Sequence, residues 1–366
     1  MSDRLLITYR LECAAGEAPE TKALGIALEQ TVELPEDCID AAVRERAVGR
    51  IVSLWSLNDG WHEAVISYPL AAVGDDLTQL LNLLYGNISL KGGIRLQAVD
   101  WPHAMLQGFG GPGHGIAGVR TLCRVPQRAL LCTALKPLGL SAADLAARAY
   151  QFALGGIDIV KDDHGLANQP SAPFTERLQR CQDAVLRANR ETGGNSLYFP
   201  NVTAGYGELD RRLAAAKAAG CQGVLINAWL TGLDALRHAR DRYGLIVMAH
   251  PAFTGSYFNA HTGMTPALLL GELFRIAGAD ISIYPNTGGR FGFDMATCEA
   301  VNHALRRPLG ALKPALPAPG GGMDVGRAGE WVQRYGADTV LLIGGSLYAR
   351  GDLRAASRAL HEAVSG

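Results

Sequence analysis

The chain carries almost no net charge. Its 366 residues set 34 Lys and Arg against 35 Asp and Glu, a formal balance of -1. That removes the electrostatic case for nucleic acid or an anionic membrane surface as a partner. It also has no Cys-x-x-Cys. Its seven cysteines are scattered and odd in number, which excludes a disulfide framework and reads as reduced thiols of a cytoplasmic protein. No apolar run reaches membrane-spanning length. Met1-Ser-Asp-Arg4 leads directly into Leu5-Leu-Ile-Thr-Tyr-Arg10, a first strand rather than a signal peptide. Aromatics are only 7%, yet apolar residues make up 48%, the balance of an Ala/Gly-rich α/β enzyme with an ample core. The length predicts two domains.

Residues 1–118 read as an N-terminal α+β domain. Strands are predicted at 4–12, 48–57, 61–68 and 93–101, and helices at 20–29 and 75–85. The pair 48–57 and 61–68 alternates around the turn Asn58-Asp-Gly60. The Gly-rich stretch from Gln107 to Gly115 reads as a crossing linker.

From 119 to 366 the pattern changes, and apolar strands alternate with Ala-rich helices. Strands are predicted at 130–136, 156–161, 196–202, 223–227, 244–250, 280–284, 312–318 and 339–343. Helices fit between them at 142–154, 174–192, 207–219, 232–243, 265–276, 293–305 and 326–335. Eight such units predict a (β/α)8 TIM barrel. An open doubly wound sheet is the other arrangement, but no Gly-x-Gly-x-x-Gly opens the first βα turn.

Barrel active sites lie at the C-terminal ends of the strands. There the sequence places Lys136, then Lys161-Asp162-Asp163-His164, Asn201, Asn227, His250 and Tyr284. In Gly155-Gly-Ile-Asp-Ile-Val-Lys161-Asp-Asp-His164 an apolar run stops abruptly on charge. Alternation puts Lys161 and Asp163 on one face and Asp162 on the other. A solvated strand end is the plain alternative. Gly320-Gly321 and Gly344-Gly345 follow the seventh and eighth strands, where backbone amides of this fold bind phosphate; tight turns use the same residues. Asn227, Tyr284 and Asn286 read as pocket liners.

Thr133-Ala-Leu-Lys136-Pro-Leu-Gly-Leu-Ser141, Gly155 to His164, Asn201-Val-Thr-Ala-Gly205, Pro319-Gly-Gly321 and Ile343-Gly-Gly345 together resemble ribulose-bisphosphate carboxylase/oxygenase (RuBisCO). Upstream, Ala27-Leu-Glu29-Gln and Tyr85-Gly-Asn87 match that family's N-terminal contributions. The resemblance implies a C-terminal TIM barrel with an N-terminal ferredoxin-like domain. It implies a homodimer in which Glu29 and Asn87 reach the partner subunit's site. It also implies Mg2+, or another divalent metal, held by a CO2-derived carbamate on Lys161 together with Asp163. Lys136 becomes a candidate acid/base. Thr133, His250, Arg290, Gly320, Gly321, Gly344 and Gly345 become contacts to substrate and phosphate.

The departures narrow the function. His164 stands where the family has a third acidic ligand, and imidazole suits softer metals than Mg2+. His164 is therefore a ligand to another metal or an acid/base in its own right. The second lysine of Lys-Pro-Lys is missing. Pro251, Tyr284 and Pro319 replace an arginine, a histidine and a serine that bind one end of a bisphosphate. Arg290 replaces the loop lysine that serves CO2 addition. What remains resembles a non-carboxylating RuBisCO-like protein that removes a proton next to the carbonyl of a sugar monophosphate. Isomerisation of 5-methylthioribulose 1-phosphate in methionine salvage matches best. Decarboxylation or carboxyl transfer on 3-oxo-isoapionate 4-phosphate, a Schiff-base aldolase, and a barrel that only binds a sugar phosphate are the alternatives.

Overall fold

The alternating run near the N-terminus forms the middle of an antiparallel sheet. In the computed structural model, which describes residues 4–365, β1 (Arg4–Leu11) buries Leu5, Ile7, Tyr9 and Leu11 on one face. It pairs with β3 (His62–Pro69), which pairs in turn with β2 (Arg50–Ser56). On its other edge β1 pairs with β4 (Ile94–Asp100). Helices Pro19–Glu29 and Leu77–Tyr85 cover the buried face, and the Tyr9 hydroxyl donates to the Leu84 carbonyl over 2.9 Å. Asp76 caps the second helix by accepting from the amides of Thr78 and Gln79, the device expected of an acid ahead of an apolar run.

A fifth strand, Gly263–Met264, adds in parallel to β4. Two residues carry no alternation pattern, so this strand has no signature in the chain. The first compact unit accordingly runs to Gly110 and takes in Phe253–Leu269 and Pro308–Leu312 as well; the division expected at 118 and 119 is not the one observed.

The second unit holds eight parallel strands: β5 (Leu130–Leu135), β6 (Ile159–Asp162), β7 (Leu197–Phe199), β8 (Gly223–Asn227), β9 (Ile246–His250), β10 (Ile281–Pro285), β11 (Leu316–Gly320) and β12 (Val340–Leu342). The order runs β7-β6-β5-β12-β11-β10-β9-β8, and a bridge between Asn201 and Leu225 joins the two ends. This is the expected closed barrel. Helices Ala142–Leu154 and Phe174–Thr192 have the predicted ends. The Ser141 hydroxyl and the Asp144 carboxylate form a capping box that starts the first of them.

The barrel interior is filled by alternate residues of every strand, among them Cys132, Ile159, Phe199, Leu225, Met248, Ile283, Ala318 and Val340. Val119 and Cys123 of helix Gly115–Cys123 join the same cluster. The Gly-rich stretch is thus no free linker. It enters this helix, and the amides of His114 and Gly115 both donate to the buried carboxylate of Asp280 over 2.7 Å.

Candidate active site

The two-residue stride that fills the barrel carries on past the apolar layers. One step beyond Ile159 is Lys161, beyond Phe199 is Asn201, beyond Leu225 is Asn227, and beyond Met248 is His250. Two steps beyond Cys132 is Lys136. The polar strand ends therefore form the last layer of the interior, at the C-terminal mouth where barrel chemistry sits.

Asp163 is the hub of that layer. Its Oδ1 lies 2.9 Å from Lys136 Nζ and 3.4 Å from His164 Nδ1. Burial alone would raise its pKa. Hydrogen bonds from His164 and Lys136, with the Lys161 charge behind them, outweigh burial and hold the carboxyl well below its ordinary value. The His164 ring stacks on His250 with centroids 4.4 Å apart and planes within 9°. His250 Nδ1 accepts from the Ala252 amide over 3.1 Å. The neutral ring thereby carries its proton on Nε2. Burial, and then the Lys161 charge, pull its pKa well below the usual value.

Lys161 lies beneath them, 2% exposed. Its Nζ donates to the Asp162 carbonyl over 3.2 Å, and among the described residues no carboxylate lies within ion-pair distance. Burial lowers its pKa against the pull of Cys132 and Asp163. Burial thus loosens this amine's hold on its proton.

The backbone that aims these groups is tied down from outside. Asp162 faces away, as alternation requires, and is fully buried. It accepts from Arg177 Nε over 3.0 Å, from the Tyr198 hydroxyl over 2.8 Å and from the Asn201 amide over 2.9 Å. Asn201 Nδ2 donates to the carbonyls of His164 and Leu166, and Asn227 Nδ2 donates to the same His164 carbonyl over 3.1 Å. Both asparagines thus fix the turn that presents Asp163 and His164. Asn227 Oδ1 is buried with no partner.

Several expected residues lie elsewhere. Thr133 pairs in register with Val160, not with Lys161, so it faces the helices; it is fully buried and its hydroxyl has no partner. Ala134 holds the inward position beside Lys161. Tyr284 also faces outward and donates to Asn302. Asn286 is bonded to Tyr335 and Met323 instead of lining a pocket. Arg290 is exposed, with its guanidinium over the Phe291 ring. Gly320 is required by packing, because a Cβ there would come within 2.9 Å of Leu342. Gly321 has φ +79°, which also asks for glycine. Gly344 and Gly345 are different. A Cβ on Gly345 would meet nothing, and one on Gly344 only the Lys136 Cε at 3.9 Å, so this backbone is open beside the lysine. Glu29 and Asn87 lie together in the first unit, where Glu29 accepts from Asn87 over 3.3 Å and from Lys91 over 2.6 Å.

The metal expectation is not met by the side chains as they stand. Asp163 is engaged by Lys136, an ammonium or amine at Lys161 supplies no anionic oxygen, and His164 offers nitrogen. Among the described residues no three His, Cys, Asp or Glu side chains converge on a metal-sized point. Mg2+ asks for oxygen ligands, so this donor set does not fit it.

Sequence reading missed Arg177, although a signal was present: it falls on the apolar stripe of Phe174, Leu178 and Cys181, where an arginine requires a buried acid. It also missed Tyr348, whose hydroxyl accepts from the Lys136 amide over 2.9 Å and donates to the Ala134 carbonyl over 3.0 Å. Arg148 completes that hold by donating to the Lys136 carbonyl over 2.9 Å. A cleft of about 430 Å³ beside Thr121, Gln182 and Asn189 is lined by none of these site residues and has Arg124 as its one charged lining residue.

Residues 115–364 match the family described as ribulose bisphosphate carboxylase large chain, catalytic domain. The chain belongs to the RuBisCO family. Within that family it is 39% identical to the 5-methylthioribulose-1-phosphate isomerase of Rhodospirillum rubrum, covering 100% of this chain and 97% of that one. It is 30% identical to the 2,3-diketo-5-methylthiopentyl-1-phosphate enolase of Bacillus licheniformis, over 94% and 87% of the two chains. The crystal structure of a Rubisco-like protein from Rhodopseudomonas palustris superposes with a TM-score of 0.91 at 38% identity, covering 100% of this chain and 98% of that one. The RuBisCO-like architecture of barrel and mixed-sheet domain is thereby established, and two of these relatives are named for an isomerase and an enolase of methylthio-sugar phosphates. Among the described residues no helix is long and apolar enough to cross a membrane.

Proposed function

We propose that this RuBisCO-family protein is an isomerase of 5-methylthioribulose 1-phosphate, acting by proton transfer next to the substrate carbonyl and not by carboxylation. The observation that carries the reading is the shared carboxylate: Asp163 fixes Lys136 on one side and His164 on the other. An ammonium and an imidazole held on one anion are a cation and a proton acceptor at known positions. His164 takes the proton from the carbon beside the carbonyl. Lys136 neutralises the enediolate charge as it forms and supplies the proton that completes isomerisation. His250 Nε2–H is a neutral donor for the carbonyl oxygen, and Asn227 Oδ1 is an acceptor for a substrate hydroxyl. The phosphate sits against the open backbone at Gly344 and Gly345, with Gly320 and Gly321 at its side.

The isomerase class is favoured over the enolase by the higher identity to the isomerase across the whole chain. A carbamate on Lys161 would add the anionic oxygen this donor set lacks, and the uncharged amine is the form that reacts with CO2. It is the route by which a divalent metal would be accommodated, and the proton transfers described above do not run through it. The protein is further read as a cytoplasmic homodimer in which Glu29 and Asn87 complete the partner subunit's site. Supplying 5-methylthioribulose 1-phosphate and following the phosphorylated species by NMR tests the reading. An isomeric ketose monophosphate supports it; CO2 release from a branched 3-oxo acid phosphate with no isomer formed would favour the decarboxylase.

A further inference from the structure

Lys136 stands just past the end of β5, where its backbone has no strand partner to fix it. Three hydrogen bonds replace that partner. Two of them meet at one atom, the Tyr348 oxygen, which accepts from the Lys136 amide and donates to the Ala134 carbonyl. The third comes from Arg148 of helix Ala142–Leu154. The Tyr348 ring is held edge-on to Phe152, with centroids 5.4 Å apart, and lies under the Arg148 guanidinium. Its hydroxyl is therefore a fixed point.

Tyr348 also ends the single helical turn that begins at Gly344. The Leu347 amide donates to the Gly344 carbonyl over 2.9 Å, and the Ala349 amide to the Gly345 carbonyl over 2.9 Å. One rigid turn thus has Gly344 and Gly345 at its start and the hydroxyl that holds Lys136 at its finish. Ser346, inside the turn, is bonded to Asp324 over 2.7 Å and accepts from the Val325 amide over 3.1 Å, which ties the turn to the loop after β11. The Lys136 side chain closes the circuit, since its Cε approaches Gly344.

We infer that Tyr348 is a positioning residue that couples occupancy of the Gly344–Gly345 backbone to the placement of Lys136. The inference rests on the reading of Lys136 as the reactive cation and of the glycine pair as the phosphate contact. A phosphate drawn against the glycine amides moves or stiffens the turn. The Tyr348 hydroxyl passes that change to the Lys136 backbone, and the ammonium is aligned only when the phosphate end of the substrate is seated. Remote binding energy is then used at the reacting carbon.

The test uses the full chain and Tyr348→Phe, which removes one oxygen and leaves the ring packing; circular dichroism and thermal unfolding confirm that it folds. A lysine-selective acylating reagent, followed by peptide mass spectrometry, reports the reactivity of Lys136 with and without millimolar inorganic phosphate. The wild-type protein should show a several-fold change in Lys136 acylation on adding phosphate. In Tyr348→Phe that response should shrink by more than half. With 5-methylthioribulose 1-phosphate, Tyr348→Phe should lose about ten-fold in kcat, the worth of one hydrogen bond, with KM within about two-fold. Arg148→Met, which removes the bond to the Lys136 carbonyl but leaves the Tyr348 hydroxyl in place, should lower kcat yet keep the phosphate response. An acylation response that is absent in the wild type, or equal in wild type and Tyr348→Phe, overturns the coupling. So does a rise in KM at unchanged kcat, because that would make Tyr348 a support for phosphate binding alone. If the wild type turns over no substrate, the proposed reaction fails, and the acylation readout still decides the coupling.

Discussion

Lys136 Nζ lies 2.9 Å from Asp163 Oδ1, while Lys161, two residues before Asp163, has no carboxylate within ion-pair range among the described residues. The two lysines therefore do different work, although both end barrel strands. Lys136 is partly exposed and paired with Asp163 at the mouth of the pocket. Replacing it by methionine should lower the rate of proton transfer by about 10²–10⁴-fold, the range of a positioned acid/base group. Asp163 would lose its main cation at the same time. Steady-state kinetics check the first point, and NMR titration of the Asp163 carboxyl, which should move up, checks the second.

Lys161→Met should separate stability from activity. The buried amine has no ion-pair partner among the described residues, and its folded-state pKa lies below the ordinary lysine value. Folding therefore loses free energy at neutral pH, where the unfolded chain holds that proton freely. An apolar side chain of similar length should raise stability by about 1–3 kcal/mol, with the proton transfers assigned to His164 and Lys136 still running. Denaturant unfolding of the two proteins measures the gain, and a less stable variant would count against a Lys161 that holds its proton less tightly in the folded chain.

Arg177 and Asp162 are both fully buried and 3.0 Å apart. Asp162→Asn leaves the guanidinium without its counter-charge and should cost about 3–5 kcal/mol. The double change Asp162→Asn with Arg177→Met should recover much of that loss. A double mutant no more stable than the single would show that the Tyr198 and Asn201 bonds to Asp162, not the ion pair, dominate.

Acid should act on this site through His250 before it acts through Asp163. The folded His250 pKa is depressed, so below about 6.5, the ordinary imidazole value, the unfolded chain binds a proton that the folded chain resists. Stability then falls as pH drops from near 6.5 toward the lower folded value. Asp163 is depressed as an acid, so its contribution is present above about 3.9 and is lost only as pH falls through its still lower folded value. Melting temperatures measured from pH 8 to 5 should decline below about 6.5, and His250→Asn should flatten that limb. Parallel curves for the two proteins would contradict the assignment.

Much of this arrangement was legible in the chain because it follows from period-two alternation. Ile159, Lys161 and Asp163 announce a strand that leaves a core and enters a site, and Asp162 could be assigned to the far face from the same count. Alternation fails where register is decided by a neighbour. Thr133 matched a family motif, yet pairing with Val160 turns it outward and gives its place to Ala134. Gly263–Met264 is too short to have a period. Tyr348 lies 212 residues from Lys136 in the chain, and a helix-forming stretch after a glycine pair says nothing about where a phenol at its end will point. The metal expectation came from likeness, and it depends on a carbamate at Lys161 that would add the anionic oxygen the side chains themselves lack.

The most direct test of the central claim is proton exchange in D2O. With 5-methylthioribulose 1-phosphate and the wild-type protein, deuterium should enter at the carbon beside the carbonyl as an isomeric ketose phosphate accumulates, and Lys136→Met should suppress both. A folded wild-type protein that binds the compound and leaves every carbon-bound proton in place would contradict it.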